Sequence, residues 1–165
     1  MPPPVKRRDT HMENKRIKIL DGVIEVSLRT LCILYEMKQP MTKDRLSAYD
    51  YFTLYSKDMD SKYDNLFSDL RMHSTSYIGE IRTLPMAIDV LLSRDLINYS
   101  FEGGSLAYTV SSVGEQVVEN LLEDTFTGRL FQHIRLVKNY LKDYSEEDID
   151  IFVKSHITNW SNAEV

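Results

Sequence analysis

The feature that most constrains the fold of this sequence is a pair of short strand-forming segments set among helical patterns. Residues 96–101 and 106–110 are rich in apolar and β-branched side chains, and Glu102-Gly103-Gly104-Ser105 joins them. A Gly-Gly pair between two such segments predicts a β-hairpin, because glycine adopts the turn conformations that a tight hairpin needs. The rest of the chain shows helical periodicity, so the predicted class is mainly α (α+β).

Three helices are predicted before the hairpin. Apolar residues recur at three- and four-residue spacing over residues 21–37, which is typical of one face of an amphipathic helix. Thr42 is predicted to cap a second helix, and Pro85 is tolerable in the first turn of a third helix over residues 83–94. Three helices followed by a two-stranded hairpin is the order of a winged-helix domain, which we place at residues 19–124.

Helical periodicity continues after the hairpin. Ser111 or Ser112 can cap a fourth helix, and a fifth is predicted over residues 126–144. Ser145 resembles the first residue of a capping box that opens a last helix. Residues 125–165 are therefore predicted to form a C-terminal helical extension that packs on the winged-helix domain.

The segment before the third helix has a different character. Residues 56–79 carry serine, aspartate, lysine, asparagine and isolated tyrosines without sustained periodicity, which predicts a loop of about 24 residues. Structureless loops longer than about 12–15 residues are uncommon and tend to be functional or disordered. This loop is therefore where we first expect contact with a partner.

Charge is distributed unevenly along the chain. Residues 1–18 hold six Lys/Arg against two acids, which leaves 14 Lys/Arg against 23 Asp/Glu in residues 19–165. Residues 1–18 are predicted to be a flexible basic tail, and residues 1–11 are either native or a cloning remnant. Because affinity for phosphate backbones comes from clustered Lys/Arg, an acidic body predicts that any DNA contact is local or indirect.

Neither membrane insertion nor secretion is predicted. No apolar run approaches the roughly 20 residues that a membrane span needs, and the N-terminus lacks the apolar segment of a secretory signal. The predicted location is the cytoplasm. The single cysteine, Cys32, lies in the apolar run Leu31-Cys32-Ile33-Leu34 and is predicted to be a small buried hydrophobe.

The sequence lacks the patterns that catalysis or cofactor binding would use. The four histidines are scattered, without the spacing of an HExxH or CxxC metal site. Gly103-Gly104 is too short to cradle a phosphate, and no serine lies in a GxSxG elbow. We therefore expect no catalytic residue, no metal and no cofactor, and hence a protein that is not an enzyme.

Three segments between Asp50 and Leu121 form an ordered set of motifs. The first is Asp50-Tyr51-Phe52-Thr53-Leu54-Tyr55-Ser56-Lys57-Asp58, and the second is His73 with Tyr77-Ile78-Gly79-Glu80-Ile81-Arg82. The third is Leu91-Leu92-Ser93-Arg94-Asp95-Leu96-Ile97, followed by Tyr108-Thr109 and Gly114. In this order they resemble the middle component of bacterial ABC-three-component systems, especially the small subunit of Lamassu-type antiphage defence complexes.

The resemblance implies an accessory subunit of a hetero-oligomer that bridges an SMC-like ABC-type ATPase and an effector, often a nuclease. On this hypothesis the subunit holds the effector inactive until foreign DNA is sensed, and any DNA contact is indirect, through the complex. The predicted interface residues are Tyr55, His73, Tyr77, Glu80 and Arg82. An equal alternative is that these side chains tie the loop to its own domain.

A stand-alone winged-helix transcriptional regulator is the alternative function. Its third helix would enter the DNA major groove, as the recognition helix does in helix-turn-helix proteins. Lys43, Arg45 and Arg94 are the candidate DNA contacts on this hypothesis.

Overall fold

The computed structural model describes the backbone of residues 9–68 and 73–163 and the side chains of residues 22–68, 77–79 and 81–163. Within these ranges the protein is mainly helical and has a small antiparallel sheet. Its elements, in chain order, are α1 (Asp9–Met37), β1 (Met41–Thr42), α2 (Lys43–Leu54), α3 (Ser56–Met59), α4 (His73–Ser93), β2 (Ile97–Glu102), β3 (Ser105–Val110), α5 (Ser112–Leu121), α6 (Thr125–Leu141) and α7 (Glu146–Ala163).

Side-chain caps begin the helices where the sequence predicts them. Thr42 Oγ1 accepts a hydrogen bond from the backbone N–H of Arg45 at 3.2 Å, and Ser111 Oγ accepts from the N–H of Gly114 at 3.0 Å. Ser145 and Asp148 form a reciprocal pair, because each side chain accepts a hydrogen bond from the other residue's N–H. Each cap satisfies a backbone donor that has no partner within the helix.

The predicted hairpin is confirmed, but the sheet has three strands rather than two. β2 and β3 pair antiparallel around Gly103 and Gly104, whose φ angles are 56° and 85°. β1 pairs with the other edge of β3, with Met41 opposite Tyr108, so the strand order is β1-β3-β2. A two-residue strand has no periodicity to detect, which explains why β1 is missed by the sequence.

Helix α1 is the centre of the core. Leu31, Ile33 and Leu34 are fully buried, and α1 contacts α2, α4, α5 and α6. Cys32 is buried as predicted, and burial raises the pKa of its thiol to about 12. The thiol is therefore protonated at neutral pH and behaves as a small apolar group.

A buried ion pair joins α1 to α2. Arg29 Nε donates to Asp50 Oδ1 at 2.7 Å, and Arg29 Nη2 donates to Asp50 Oδ2 at 3.0 Å. The arginine side chain is 7% exposed and the aspartate side chain 3%. Because two parallel hydrogen bonds fix both the distance and the angle between the groups, this pair sets the relative position of the two helices.

The predicted loop over residues 56–79 is much shorter in the structure. Ser56–Met59 forms the short helix α3, and α4 begins at His73 rather than at residue 83. Tyr77 is buried on the same side of α4 as Leu84 and Leu91, so the apolar face of this helix continues into the predicted loop. Pro85 consequently lies inside the helix, on its exposed side. Residues 69–72 lie outside the described residues.

Helix α1 also begins earlier than the sequence predicts, at Asp9 rather than at residue 21. Residues 9–18 of the predicted tail are therefore helical. They contain no proline or glycine to end a helix, and extending an existing helix is much easier than nucleating a new one. Residues 1–8 of the predicted tail lie outside the described residues.

Candidate partner-binding surfaces

Two of the predicted interface residues, Tyr55 and Tyr77, belong to an aromatic cluster within the domain. The Tyr51 ring centroid is 5.1 Å from those of Tyr55 and Tyr77 and 5.2 Å from that of Trp160. The Tyr51 hydroxyl donates to Asp58 Oδ2 at 2.6 Å. The cluster joins the end of α2 to α4 and α7, which agrees with the alternative that these tyrosines tie the segment to its own domain.

The other three predicted interface residues lie on α4. His73 begins this helix and Glu80 follows about two turns later, but the side chains of both are outside the described ones. Arg82 is exposed on the outer side of the helix. The structure therefore does not bring the five residues to one surface, because Tyr55 and Tyr77 are buried and Arg82 points outward.

The outer side of α4 is an exposed apolar surface that the sequence analysis did not identify. Ile78, Ile81 and Met86 are 42%, 38% and 44% exposed. They share one side of the helix with Arg82 and Pro85, opposite the buried Leu84, Ala87 and Leu91. We call Ile78, Ile81, Arg82, Pro85 and Met86 the α4 face.

A second apolar surface is a groove where α1, the segment after α3, and the α5–α6 junction meet. Its volume is about 310 Å³. Leu28, Phe67 and Phe126 are the exposed apolar side chains that line it, and Glu25 and Asp124 supply carboxylates. We call this surface the Phe126 groove. Its residues come from three distant parts of the sequence, so no local pattern predicts it.

The α4 face and the Phe126 groove lie on opposite sides of α1. Ser27 Oγ is 3.4 Å from the carbonyl oxygen of Ala87, so this side of α1 faces the inner side of α4. Glu25 and Cys32 line the groove, and at about 100° per residue they lie roughly 160° and 140° around the helix axis from Ser27. The two surfaces therefore share no residue and face different sides of α1.

The hairpin carries a third set of exposed apolar groups. Among the described side chains, Phe101 and Tyr99 are the most exposed large hydrophobic residues, with Phe101 74% exposed. Residues 97–110 contain no lysine or arginine. The hairpin thus offers aromatic surface but no cation for a phosphate group.

One of the three candidate DNA contacts is bound within the chain, and the other two are exposed. Arg45 Nε donates to the Glu146 carboxylate, and Arg45 Nη2 donates to the carbonyl oxygen of Tyr144 at 2.8 Å. Arg45 therefore links α2 to the start of α7 and is held within the chain. Lys43 and Arg94 are exposed.

One serine and histidine pair resembles part of a hydrolytic site but is buried. Ser56 Oγ donates to the Phe52 carbonyl at 2.9 Å and lies 3.0 Å from His133 Nδ1. Burial and the nearby Arg129 lower the pKa of His133. Because Ser56 is fully buried, a substrate has no access to its hydroxyl, and the pair serves to attach α3 to α6.

In the part of the chain that the structure describes, the His, Cys, Asp and Glu side chains do not gather in threes as a metal ion would require. None of the helices described combines the length and the apolar character needed to cross a membrane.

The geometry is that of a small helical domain with a three-stranded sheet, two separate apolar surfaces and an exposed hairpin. Residues 19–163 match the family model of the ABC-three component (ABC-3C) system Middle Component 2. The match spans most of the chain, so the protein belongs to this family, and the predicted resemblance to a middle component is confirmed. No curated protein and no solved structure gives a significant match.

Proposed function

We propose that this protein is a non-catalytic accessory subunit of a Lamassu-type antiphage defence complex in the bacterial cytoplasm. In this role it bridges an SMC-like ABC-type ATPase and an effector such as a nuclease, and it restrains the effector until foreign DNA is sensed. Membership of a middle-component family supports this, since a middle component implies partner subunits in a larger system.

The observation that carries the bridging role is the presence of two apolar surfaces on opposite sides of α1. Exposed apolar side chains that lie together favour association with another protein, because contact removes their surface from water. With the α4 face on one side and the Phe126 groove on the other, one subunit can hold two different proteins at once.

The character of the α4 face favours a protein partner over DNA. We propose that the core is a winged-helix domain in which α4 takes the place of the DNA-reading helix. Its outer side presents two isoleucines, a methionine and a proline beside one arginine, Arg82, and one aspartate, Asp89. A surface with so little positive charge gains little from phosphate contacts, so DNA is reached through the complex.

Co-expression with the products of the neighbouring genes tests the bridging role. We expect Ile78→Glu with Met86→Glu to weaken binding of one partner at least tenfold, and Leu28→Glu with Phe126→Glu to weaken binding of the other. A carboxylate buried against an apolar partner surface loses its hydration without gaining a counter-charge. Affinity of each partner is measured separately with the purified variants.

The matched control is Ile151→Glu, an exposed isoleucine on α7 that belongs to neither surface. It should leave both affinities unchanged, and circular dichroism should show every variant folded at the assay temperature, because each replaced side chain is partly exposed. Retention of both partners by both double variants would contradict the bridging proposal. Sequence-specific binding of promoter DNA by the isolated chain, with a steep salt dependence, would favour a transcriptional regulator instead.

A further inference from the structure

Besides the Phe126 groove, the protein has a depression between α2, α4 and α7. Its volume is about 290 Å³, which leaves room for one long side chain. Its apolar wall includes Ile81 from α4 and Ile149 and Val153 from α7. We call it the α4–α7 groove. Ile81 also belongs to the α4 face, so the groove opens beside that surface.

The groove carries an excess of negative charge. Asp44, Glu146 and Asp150 line it, and the lining includes one cation, Lys154. Lys154 Nζ donates to Asp150 Oδ2 at 2.6 Å, and Glu146 is bound by Arg45. Asp44 lies in the first turn of α2, and its carboxylate has neither a hydrogen bond nor an ion pair to any described residue.

A second, independent feature is the hydroxyl of Tyr77. The side chain lines the groove and is only 3% exposed, yet its hydroxyl makes no hydrogen bond within the described part of the chain. Burial raises the pKa of Tyr77, and the charges of Asp44 and Asp150 raise it further, which places both carboxylates within electrostatic reach of the phenol oxygen. The hydroxyl borders the groove, so a ligand there that supplies a donor would give it the hydrogen-bond partner that the described chain does not.

We propose that the α4–α7 groove receives one arginine or lysine side chain from the partner that covers the α4 face. The cationic group lies between Asp44 and Asp150 and donates one N–H to the Tyr77 hydroxyl oxygen. Its aliphatic stem packs on Ile81 and Val153. This inference rests on the proposed function and adds a chemical requirement, namely that the partner surface presents a basic residue beside its apolar contacts.

Both the charge and the shape of the α4–α7 groove favour an arginine or lysine side chain. Carboxylates attract a cation, and this attraction strengthens once a bound partner excludes water from the groove. An arginine or lysine side chain also has an apolar stem that matches the isoleucine and valine wall. An acidic or phosphorylated segment would meet a lining with more carboxylates than cations and would be disfavoured.

A small probe tests the groove without any partner. We expect N-acetyl-arginine methylamide, added at millimolar concentration to the ¹⁵N-labelled full-length chain, to shift the amide signals of Asp44, Tyr77 and Asp150. N-acetyl-citrulline methylamide has nearly the same shape without the charge and should give shifts at least threefold smaller. Equal shifts from the two probes, or no shift from either, would overturn the inference.

The complex provides the second arm. Tyr77→Phe with Asp44→Asn should weaken binding of the α4-face partner about tenfold, whereas Tyr99→Phe with Asp143→Asn, which removes the same groups outside the groove, should not. Unchanged affinity of the first variant would reject the groove as an anchor and leave the bridging role intact. If the wild-type chain recovers no partner at all, the bridging role fails, and the probe titration still decides the chemistry of the groove.

Discussion

Replacing Asp50 by alanine is expected to lower the free energy of unfolding by about 3–5 kcal/mol, because it leaves the guanidinium of Arg29 buried without its bidentate partner. The cost comes from keeping the Arg29 charge buried without the Asp50 carboxylate rather than from a lost attraction. Removing two ions from water already offsets most of what a buried pair gains. Urea unfolding followed by circular dichroism measures the change.

The matched control replaces both members of the pair. Arg29→Met with Asp50→Leu removes both charges and fills a similar volume with apolar groups, so most of the lost stability should return. A loss below about 1 kcal/mol for the single variant would mean that Arg29 is solvated or re-paired after a small rearrangement. A double variant as unstable as the single one would instead show that the pair contributes net stability.

Replacing Gly114 by alanine is expected to destabilise the protein by about 1–3 kcal/mol or more. A β-carbon at this position would lie 2.1 Å from the backbone carbonyl oxygen of Leu96, and it would also crowd Val110 and Leu31. The carbonyl of Leu96 accepts a hydrogen bond from the N–H of Ser111, so it cannot move without disturbing the cap of α5. The helix would have to shift away from the sheet.

Gly128→Ala is the control for this change. Gly128 is also helical, on α6, but a β-carbon there would meet nothing within 4 Å. Alanine should therefore stabilise the protein by up to about 1 kcal/mol, through its higher helix propensity. Thermal unfolding midpoints that move in opposite directions for the two variants would support the close approach at Gly114, and equal shifts would contradict it.

These two residues also explain part of the motif pattern that identifies the family in the sequence. Asp50 opens the first motif, and its carboxylate is the buried partner of Arg29. Gly114 ends the third motif, where helix α5 passes against the Leu96 carbonyl. Both positions are determined by packing between elements, so the motif residues could be recognised from the sequence while their physical roles could not.

The sequence predicts the local features of the fold well and the non-local ones poorly. The caps at Thr42, Ser111 and Ser145 and the hairpin turn depend on neighbouring residues and are confirmed. The start of α4 is missed because Tyr77, the first residue of this helix whose side chain is described, is held by Tyr51 and by Trp160, far from it in the sequence. A tyrosine in a polar segment gives no sign of such distant partners.

The partner-binding surfaces are likewise predicted only in part from the sequence. Arg82 is exposed, and its role at an interface stays a prediction, but the apolar side chains around it are missed. The sequence did contain a signal for the α4 face, since Ile78, Ile81 and Met86 lie outside the face defined by Leu84, Ala87 and Leu91. A helix that is apolar on two sides indicates either full burial or a missing partner. The Phe126 groove has no such local signal.

The position of β2 at the end of the strand order has a practical consequence for handling this protein. No described strand pairs with its outer edge, and Tyr99 and Phe101 are exposed along it. An open edge beside exposed aromatic rings is a template for intermolecular strand pairing. When the subunit is produced in excess of the proteins that bind it, we expect aggregation to begin at this hairpin. The solubility of the subunit would then depend on balanced synthesis of all the proteins of the complex.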